Sequence, residues 1–405
     1  NRFDFIQQTN RFIGDFQLSA TPTDKLSITY TLGYDNSTQL ATAFIPVGNT
    51  TPTYNQGYSS RADRLNLLMN QDLNIGYKTN IGSDFESTTG FGATAQTERV
   101  NTASLTATQL SPVTQVSSGG ATITALESRS TLNILGFYLQ QTFGYKGKLY
   151  VTGAIRNDAS SSFGEKNRWQ YYPKVSGTYL ISEENFWQNS SLATAIPTLK
   201  IRASYGQSGN LTAIGAYDRF SNYNSVSQAG IPGVTAPSQL GNADIKPERQ
   251  TEKEAGIDAT FLKGRLSVEF SVYSKDVHDL LLPVTLRPST GYLTQYQNIG
   301  NMTNKGIELL VNAIPVENTH FKWTSTVIFS KNKNKVYDIP GGVLAFAGGF
   351  GQVAAVNGYP LGSFYATAFA RKADGSLLLN AAGLPQTAKV GSDANGQPIG
   401  ASKLK

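Results

Sequence analysis

Two histidines, His278 and His320, are all that this 405-residue sequence, which contains no cysteine, offers for ordinary nucleophilic or metal chemistry. The lack of cysteine removes thiolate metal sites, a Cys nucleophile and a disulfide scaffold. His278-Asp279 has the residue types of an acid–base pair, but neighbours on an extended strand point to opposite faces. Gly349-Phe350-Gly351-Gln352-Val353-Ala354 matches a dinucleotide fingerprint by letter, without the strand before it or the helix after it. The surrounding stretch 340–370 is rich in glycine and is expected to be a loop rather than a membrane-spanning helix. Asp374-Gly375 and residues 393–396 are turn signals where a loop calcium could sit. Glu183-Glu184 is expected to cap a short turn after Ser182. No enzyme and no cofactor site is expected from these groups.

What remains is recognition by side chains on loops. Trp169, Tyr171, Tyr172, Tyr217, Tyr223, Tyr292 and Tyr296 have Asn and Gln close by in sequence. Ring faces beside amide donors suit sugar rings or peptide backbones. The same aromatic side chains could instead form a girdle or pack connections against each other.

Composition bounds the elements that must carry these groups. Only 15% of residues are charged, against roughly 25% in soluble domains, and hydrophobic residues are also low at 39%. Twenty Tyr and twenty Phe against two Met is a β-rich balance. The net charge of +6 is spread along the chain without a Lys/Arg run, which argues against a nucleic-acid partner. The sequence opens at Asn1 with no signal peptide and is expected to be a piece of something longer.

The apolar period is two almost throughout. Leu26, Ile28, Tyr30, Leu32 and Tyr34 alternate with Ser27, Thr29, Thr31 and Gly33. The same holds for Leu199/Ile201/Ala203/Tyr205, Leu266/Val268/Phe270/Val272 and Ile307/Leu309/Val311/Ala313. About twelve strands are expected, many longer than usual. Charges fall on the opposite phase: Arg156 and Asp158, Lys200 and Arg202, Glu254 and Asp258, Glu269, Glu308. A sandwich buries its apolar face, whereas a membrane barrel turns that face to lipid. Connection lengths favour the barrel. Short links at 21–25, 78–83, 146–148, 263–264 and 315–319, with 181–197 the one longer member, alternate with long ones. The expected loops are 35–60, 100–128, 159–168, 207–247 and 277–297, with a last one at 332–405. Aromatics beside the short links (Tyr77, Phe85, Phe143, Tyr145, Tyr150, Phe261, Phe321 and Trp323) fit an interfacial girdle.

Several blocks then acquire meaning together. Gly144-Tyr145-Lys146-Gly147-Lys148-Leu149-Tyr150-Val151 leads to Ile155-Arg156-Asn157-Asp158-Ala159-Ser160-Ser161-Ser162-Phe163. Later come Asn242-Ala243-Asp244-Ile245-Lys246-Pro247-Glu248, Asn298-Ile299-Gly300, Asn304-Lys305-Gly306-Ile307-Glu308-Leu309 and Gly358-Tyr359-Pro360-Leu361-Gly362-Ser363-Phe364-Tyr365. In this order the set resembles SusC/RagA-type TonB-dependent outer-membrane transporters over roughly residues 130–375. Ala159 stands where the family usually has Gly, and Pro247 where it often has Trp; both sit near loops.

The resemblance implies an all-β, transmembrane antiparallel barrel of roughly 22 strands with a plug in its lumen, of which residues 1–405 hold a part. It implies a bacterial outer-membrane location and TonB-dependent import of oligosaccharides, glycans or peptides. The partners would be a SusD-like surface lipoprotein, the TonB–ExbB–ExbD machine acting through an N-terminal part, and outer-membrane lipid and lipopolysaccharide. The alternative is a structural or assembly subunit of a larger outer-membrane complex without its own transport role.

Overall fold

The computed structural model describes residues 3–114, 116–346, 352–365 and 369–386. Its main element is one sheet of twelve strands, each paired antiparallel with the next in chain order. They are β1 (Asp4–Thr23), β2 (Leu26–Val47), β3 (Gln56–Ile81), β4 (Phe85–Leu110), β5 (Gly120–Tyr145) and β6 (Leu149–Ser160). The second half comprises β7 (Trp169–Leu180), β8 (Thr198–Asn210), β9 (Glu248–Phe261), β10 (Leu266–His278), β11 (Asn301–Glu317) and β12 (Lys322–Tyr337).

Register puts the apolar phase of every strand on one face. Tyr179, Ile201, Ile257, Phe270, Leu309 and Phe329 lie opposite one another from β7 to β12. That face is open: Ile155, Ile257 and Val327 are 47%, 48% and 55% exposed. A sandwich packed on this face would bury them, so the inverted pattern of a lipid-facing barrel wall is the one observed. No helix among the described residues is long and apolar enough to cross a membrane; the strands do the crossing.

The strands run farther than the periodicity suggests. Strands β3, β4 and β5 have 26 residues each, more than twice the roughly 9–11 that a tilted membrane strand needs. The expected loops 35–60 and 100–128 are therefore mostly strand, and the connections shrink to residues 48–55 and 111–119. Beyond a bilayer both faces of a strand meet water, so Ser, Thr and Asn fill both phases and the segment reads as a loop.

Other connections carry small sheets of their own. Asn224–Gln228 pairs with Ile231–Thr235, and Gln239–Leu240, Thr294–Asn298 and Leu281–Thr285 form a three-stranded sheet. The supposed glycine-rich loop at 340–370 holds a third, made of Val343–Ala345, Gln352–Val356 and Ser363–Tyr365. Gly341, Gly342, Gly358 and Gly362 have positive φ and serve its turns. Residues 349–351 of the fingerprint-like stretch, the turn at 393–396 and the end of the 332–405 loop lie outside the described residues.

The short turns follow local chemistry. Gly147 takes φ 67° between Lys146 and Lys148, whose ammonium groups reach Asp84 at 3.3 Å and Glu184 at 3.2 Å. Glu184 thus joins Lys148, and accepts from the Tyr179 hydroxyl at 3.1 Å, instead of capping the turn after Ser182. Single turns at Ile181–Glu183, Asn185–Gln188 and Leu192–Ala195 complete that connection, and the Trp187 indole donates to the Ile196 carbonyl at 3.1 Å. Beside the turns, Tyr77, Phe85, Phe143, Tyr145, Phe321 and Trp323 are exposed. Phe261 is half-buried, and Tyr150 turns to the other side: its ring lies beside Gly144 on the polar face.

Phe270 sits in the apolar row between Ile257 and Leu309, whereas Glu269 faces the other side next to Asp258. Phe270→Arg in the full-length protein in lipid vesicles is expected to cost about 2–4 kcal/mol by urea unfolding. Glu269→Arg, which sets a cation beside Asp258, is expected to change stability by well under half of that. Equal losses at both positions would contradict a lipid-facing wall.

Candidate functional site

Ion pairs run along the polar face, beside Glu269 and Glu308, for which no ion pair is formed among the described residues. Lys200 Nζ lies 2.5 Å from Asp258 Oδ2. Arg202 pairs with Glu254 through Nη1, approaches Asp258 Oδ1 at 3.4 Å through Nε, and donates to Ser271 Oγ at 2.5 Å. One guanidinium thus ties β8, β9 and β10 together. Lys275 meets Glu252 at 3.3 Å. Arg156 holds Asp158 at 2.7 Å and donates to Thr94 Oγ1 at 2.9 Å, with Asp158 only 5% exposed.

Glycines give these side chains room to lie along the wall. A Cβ on Gly256 would fall 2.7 Å from Arg202 Cζ, and one on Gly136 would fall 2.1 Å from Asp158 Oδ1. The Tyr138 ring covers Gly92, where a Cβ would come within 2.0 Å of Cε1, and its hydroxyl donates to Asn74 Oδ1 at 2.6 Å. Tyr273 covers Gly306 in the same way, with 2.5 Å to Cζ. At Gly306 the close neighbour is therefore a side chain on β10. A glycine inside a strand is the sequence signal for such seats; which side chain fills each seat is not written locally.

At the end opposite the short turns, the connections lock onto each other. Phe163 and Ile245 are fully buried and pack with Ile214 and Leu281, while Tyr296 packs against the cluster. A second cluster joins Val277, Leu280, Leu282, Val336, Ile339 and Ala355. Amide side chains bridge the loops: Asn242 donates to the Tyr296 carbonyl at 2.9 Å, and Asn298 donates to the Lys246 carbonyl at 2.8 Å. Glu248 accepts from the Leu281 amide at 2.8 Å, and Asn167 donates to the Asp244 carbonyl at 2.7 Å. The Asn242–Glu248 and Asn298–Gly300 blocks are thus latches between loops.

The seven aromatics proposed for recognition do not converge. Trp169 shares the apolar face with Phe137, the ring centroids 6.4 Å apart and stacked, and Tyr171 is exposed two residues on. Tyr172 is buried near Gly209, and Tyr296 belongs to the loop core. Tyr292 is half-buried, whereas Tyr217 and Tyr223 are exposed, Tyr223 at 68%. Near them Arg219 stacks on Phe220 at 3.9 Å, and Ile231 and Val234 stand exposed on the Asn224–Thr235 hairpin.

The histidines lie at opposite ends. His278 Nδ1 is 3.2 Å from Asn301 Oδ1, and His320 Nδ1 is 2.9 Å from Thr319 Oγ1 in a short turn. Asp279 pairs with Lys246 at 2.9 Å. Hydrogen bonds from the Ser376 hydroxyl and backbone amide hold the Asp374 carboxyl below the usual carboxylate range. Among the described residues, no three His, Asp or Glu side chains gather as metal ligands.

An apolar outer face, a paired polar inner face and alternating short and long connections define an outer-membrane barrel wall. The family model for the TonB dependent receptor-like β-barrel matches residues 1–383. The chain belongs to the TonB-dependent receptor β-barrel family. It is 32% identical over 348 residues to a TonB-dependent receptor of Formosa agariphila, covering 82% of this chain and 34% of that protein. To the TonB-dependent receptor SusC of Bacteroides thetaiotaomicron it is 27% identical, over 54% of this chain and 22% of that one. Among solved structures, the RagAB peptide transporter superposes with a TM-score of 0.79 at 21% identity, covering 91% of this chain and 41% of that chain. This SusC-like, TonB-dependent receptor barrel therefore belongs in the outer membrane, and the chain spans about a third of the length of the Formosa relative.

Gly92→Ala in the full-length protein is expected to cost about 1–3 kcal/mol in urea unfolding, because the new methyl displaces the Tyr138 ring. In a Tyr138→Ala background the same change should cost almost nothing. Additive losses would show that the ring does not occupy the Gly92 seat.

Proposed function

We infer that this barrel serves TonB-dependent import of oligosaccharide, glycan or peptide nutrients as the SusC-like part of a SusCD-type complex. The observation that carries this reading is the pairing of a charge-balanced polar lumen wall with a latched platform of long connections. Flattened side chains leave the lumen to a plug, and the platform offers exposed apolar and aromatic groups to a second protein. The likeness to SusC and to the RagAB peptide transporter supports the same conclusion. In this proposal the long connections face outside the cell, and a SusD-like lipoprotein closes over the platform around Tyr217, Phe220 and Tyr223. Energy comes from the TonB–ExbB–ExbD machine through an N-terminal part of the protein.

Sidedness is tested first. The chain has no cysteine, so Ser225→Cys and Ser289→Cys, both at exposed loop sites, should react with an impermeant maleimide on intact cells. Ser83→Cys, in the short turn between β3 and β4, should react only after the outer membrane is permeabilised. The reverse pattern would place the platform in the periplasm and remove the capture surface.

Transport is tested separately. A strain lacking the gene should lose uptake of one polymer class and regain it with the full-length protein. Depletion of TonB should abolish that uptake, and uptake that survives the depletion would overturn the import reading.

A further inference from the structure

Strand β5 outlasts its neighbour on one side. Against β4 it is paired along its length, from Tyr145 to Gly120. Against β6 the ladder stops where Ile134 meets Ser160. Ser161 closes it: its amide donates to the Asn133 carbonyl at 2.9 Å, and its Oγ accepts from the Asn133 amide at 3.0 Å. Beyond Asn133 no described residue pairs with that side of β5, and residues 121–129 are exposed. Backbone groups alternate in direction along an antiparallel strand. Asn133 turns its own toward β6, so Thr131, Arg129, Glu127, Ala125 and Ile123 turn their N–H and C=O groups to the open side.

The bilayer sets where this edge begins. Asn133 lies farther from the short turn at Lys146 than the roughly 9–11 residues a membrane strand needs, so the open stretch stands in water above the hydrocarbon. Sheets guard such edges with proline, lysine, bulges or a covering loop. Residues 121–132 contain neither proline nor lysine, and their register against β4 is unbroken. The two charges of the stretch, Glu127 and Arg129, neutralise each other at 2.5 Å. An edge so unguarded is a template for another extended chain.

The side chains beside it make a neutral bed. On the inner phase Thr122, Thr124, Ser128 and Ser130 flank Leu126, and Thr106 and Thr102 lie opposite Thr124 and Ser128 on β4. Donors and acceptors recur along the open side every second residue, about 6.8 Å apart. Another extended peptide backbone carries the complementary groups at that repeat; a glycan has no amide ladder to match it.

We propose that the open edge of β5 captures extended peptides by strand addition, as a first contact for cargo at the rim of the barrel. This deepens the import reading, on which it rests, by naming peptide as the substrate class. Main-chain hydrogen bonds supply affinity whatever the peptide sequence, because selectivity in strand addition comes from side-chain pockets. A bed of hydroxyls suits varied cargo better than one fixed protein partner.

The test uses the purified full-length protein in nanodiscs and, as probe, a fluorescein-labelled decapeptide of alternating Thr and Gln. Binding is read by fluorescence anisotropy and located by amide hydrogen exchange with mass spectrometry. In the free protein roughly half the amides of 121–132, those on the open side, should exchange fast, and the probe should slow them. The same peptide N-methylated at every residue should neither bind nor protect, and a dextran oligosaccharide should not compete. Ala125→Pro removes one N–H from the open side and none from the β4 ladder. It should weaken binding about fivefold, whereas Ala125→Val should leave binding unchanged. Heat-modifiable migration on gels confirms that each variant is folded. Slow exchange of the whole segment before the probe is added would overturn the proposal, because another stretch of the protein then occupies the edge. So would failure of the probe to bind, equal binding of the N-methylated peptide, or protection confined to other segments. The import reading stands or falls separately, on uptake after TonB depletion.

Discussion

A backbone amide in hydrocarbon has no water to turn to, and this constraint organises the molecule. Each amide and carbonyl in the membrane must find its partner on the next strand, so the chain runs as an uninterrupted antiparallel series in which sequence neighbours are spatial neighbours. With the backbone satisfied laterally, side chains are free to sort by face. The apolar phase turns outward and the ionic phase inward, opposite to the arrangement of a soluble sandwich. The same constraint acts at the margins: within the described residues β1 has no partner on one side and β12 has on its outer side only the bridge from Val336 to Asn357, and in a membrane both need a strand beside them.

Much of this was legible locally. The alternation at Leu199, Ile201, Ala203 and Tyr205, with Lys200 and Arg202 between them, specifies a two-faced strand without any knowledge of its neighbours. Lys146-Gly147-Lys148 specifies its own turn. The extent of β2 to β5 was not legible, because polar residues in both phases look the same in a loop and in a strand projecting into water. Nor were the glycine seats. Gly92 announces a missing side chain, but Tyr138 is brought to it only by the register of β4 against β5.

The candidate recognition residues show the same limit. Aromatic type says that a ring will seek an interface or a partner; it does not say which face of the strand it occupies. Trp169 and Tyr171 follow the outward phase and Tyr172 the buried one, a difference fixed by parity alone. The ordered sequence blocks, in turn, are explained by packing. Ile245, Phe163, Asn242 and Asn298 hold three connections together as a single platform, and a rigid platform can present Tyr217 and Tyr223 without ordering them anew each time a partner arrives.

The flattened side chains of the inner wall have a mechanical consequence. Because Gly92, Gly256 and Gly306 let Tyr138, Arg202 and Tyr273 lie against the backbone, these three side chains project little from the inner wall. A body sliding past such a lining forces few side chains out of their wells. Its resistance comes instead from hydrogen bonds exchanged one for another with the polar wall. In the proposed import the wall would then act as a low-friction sleeve, the work of movement being spent at the contacts of the moving part.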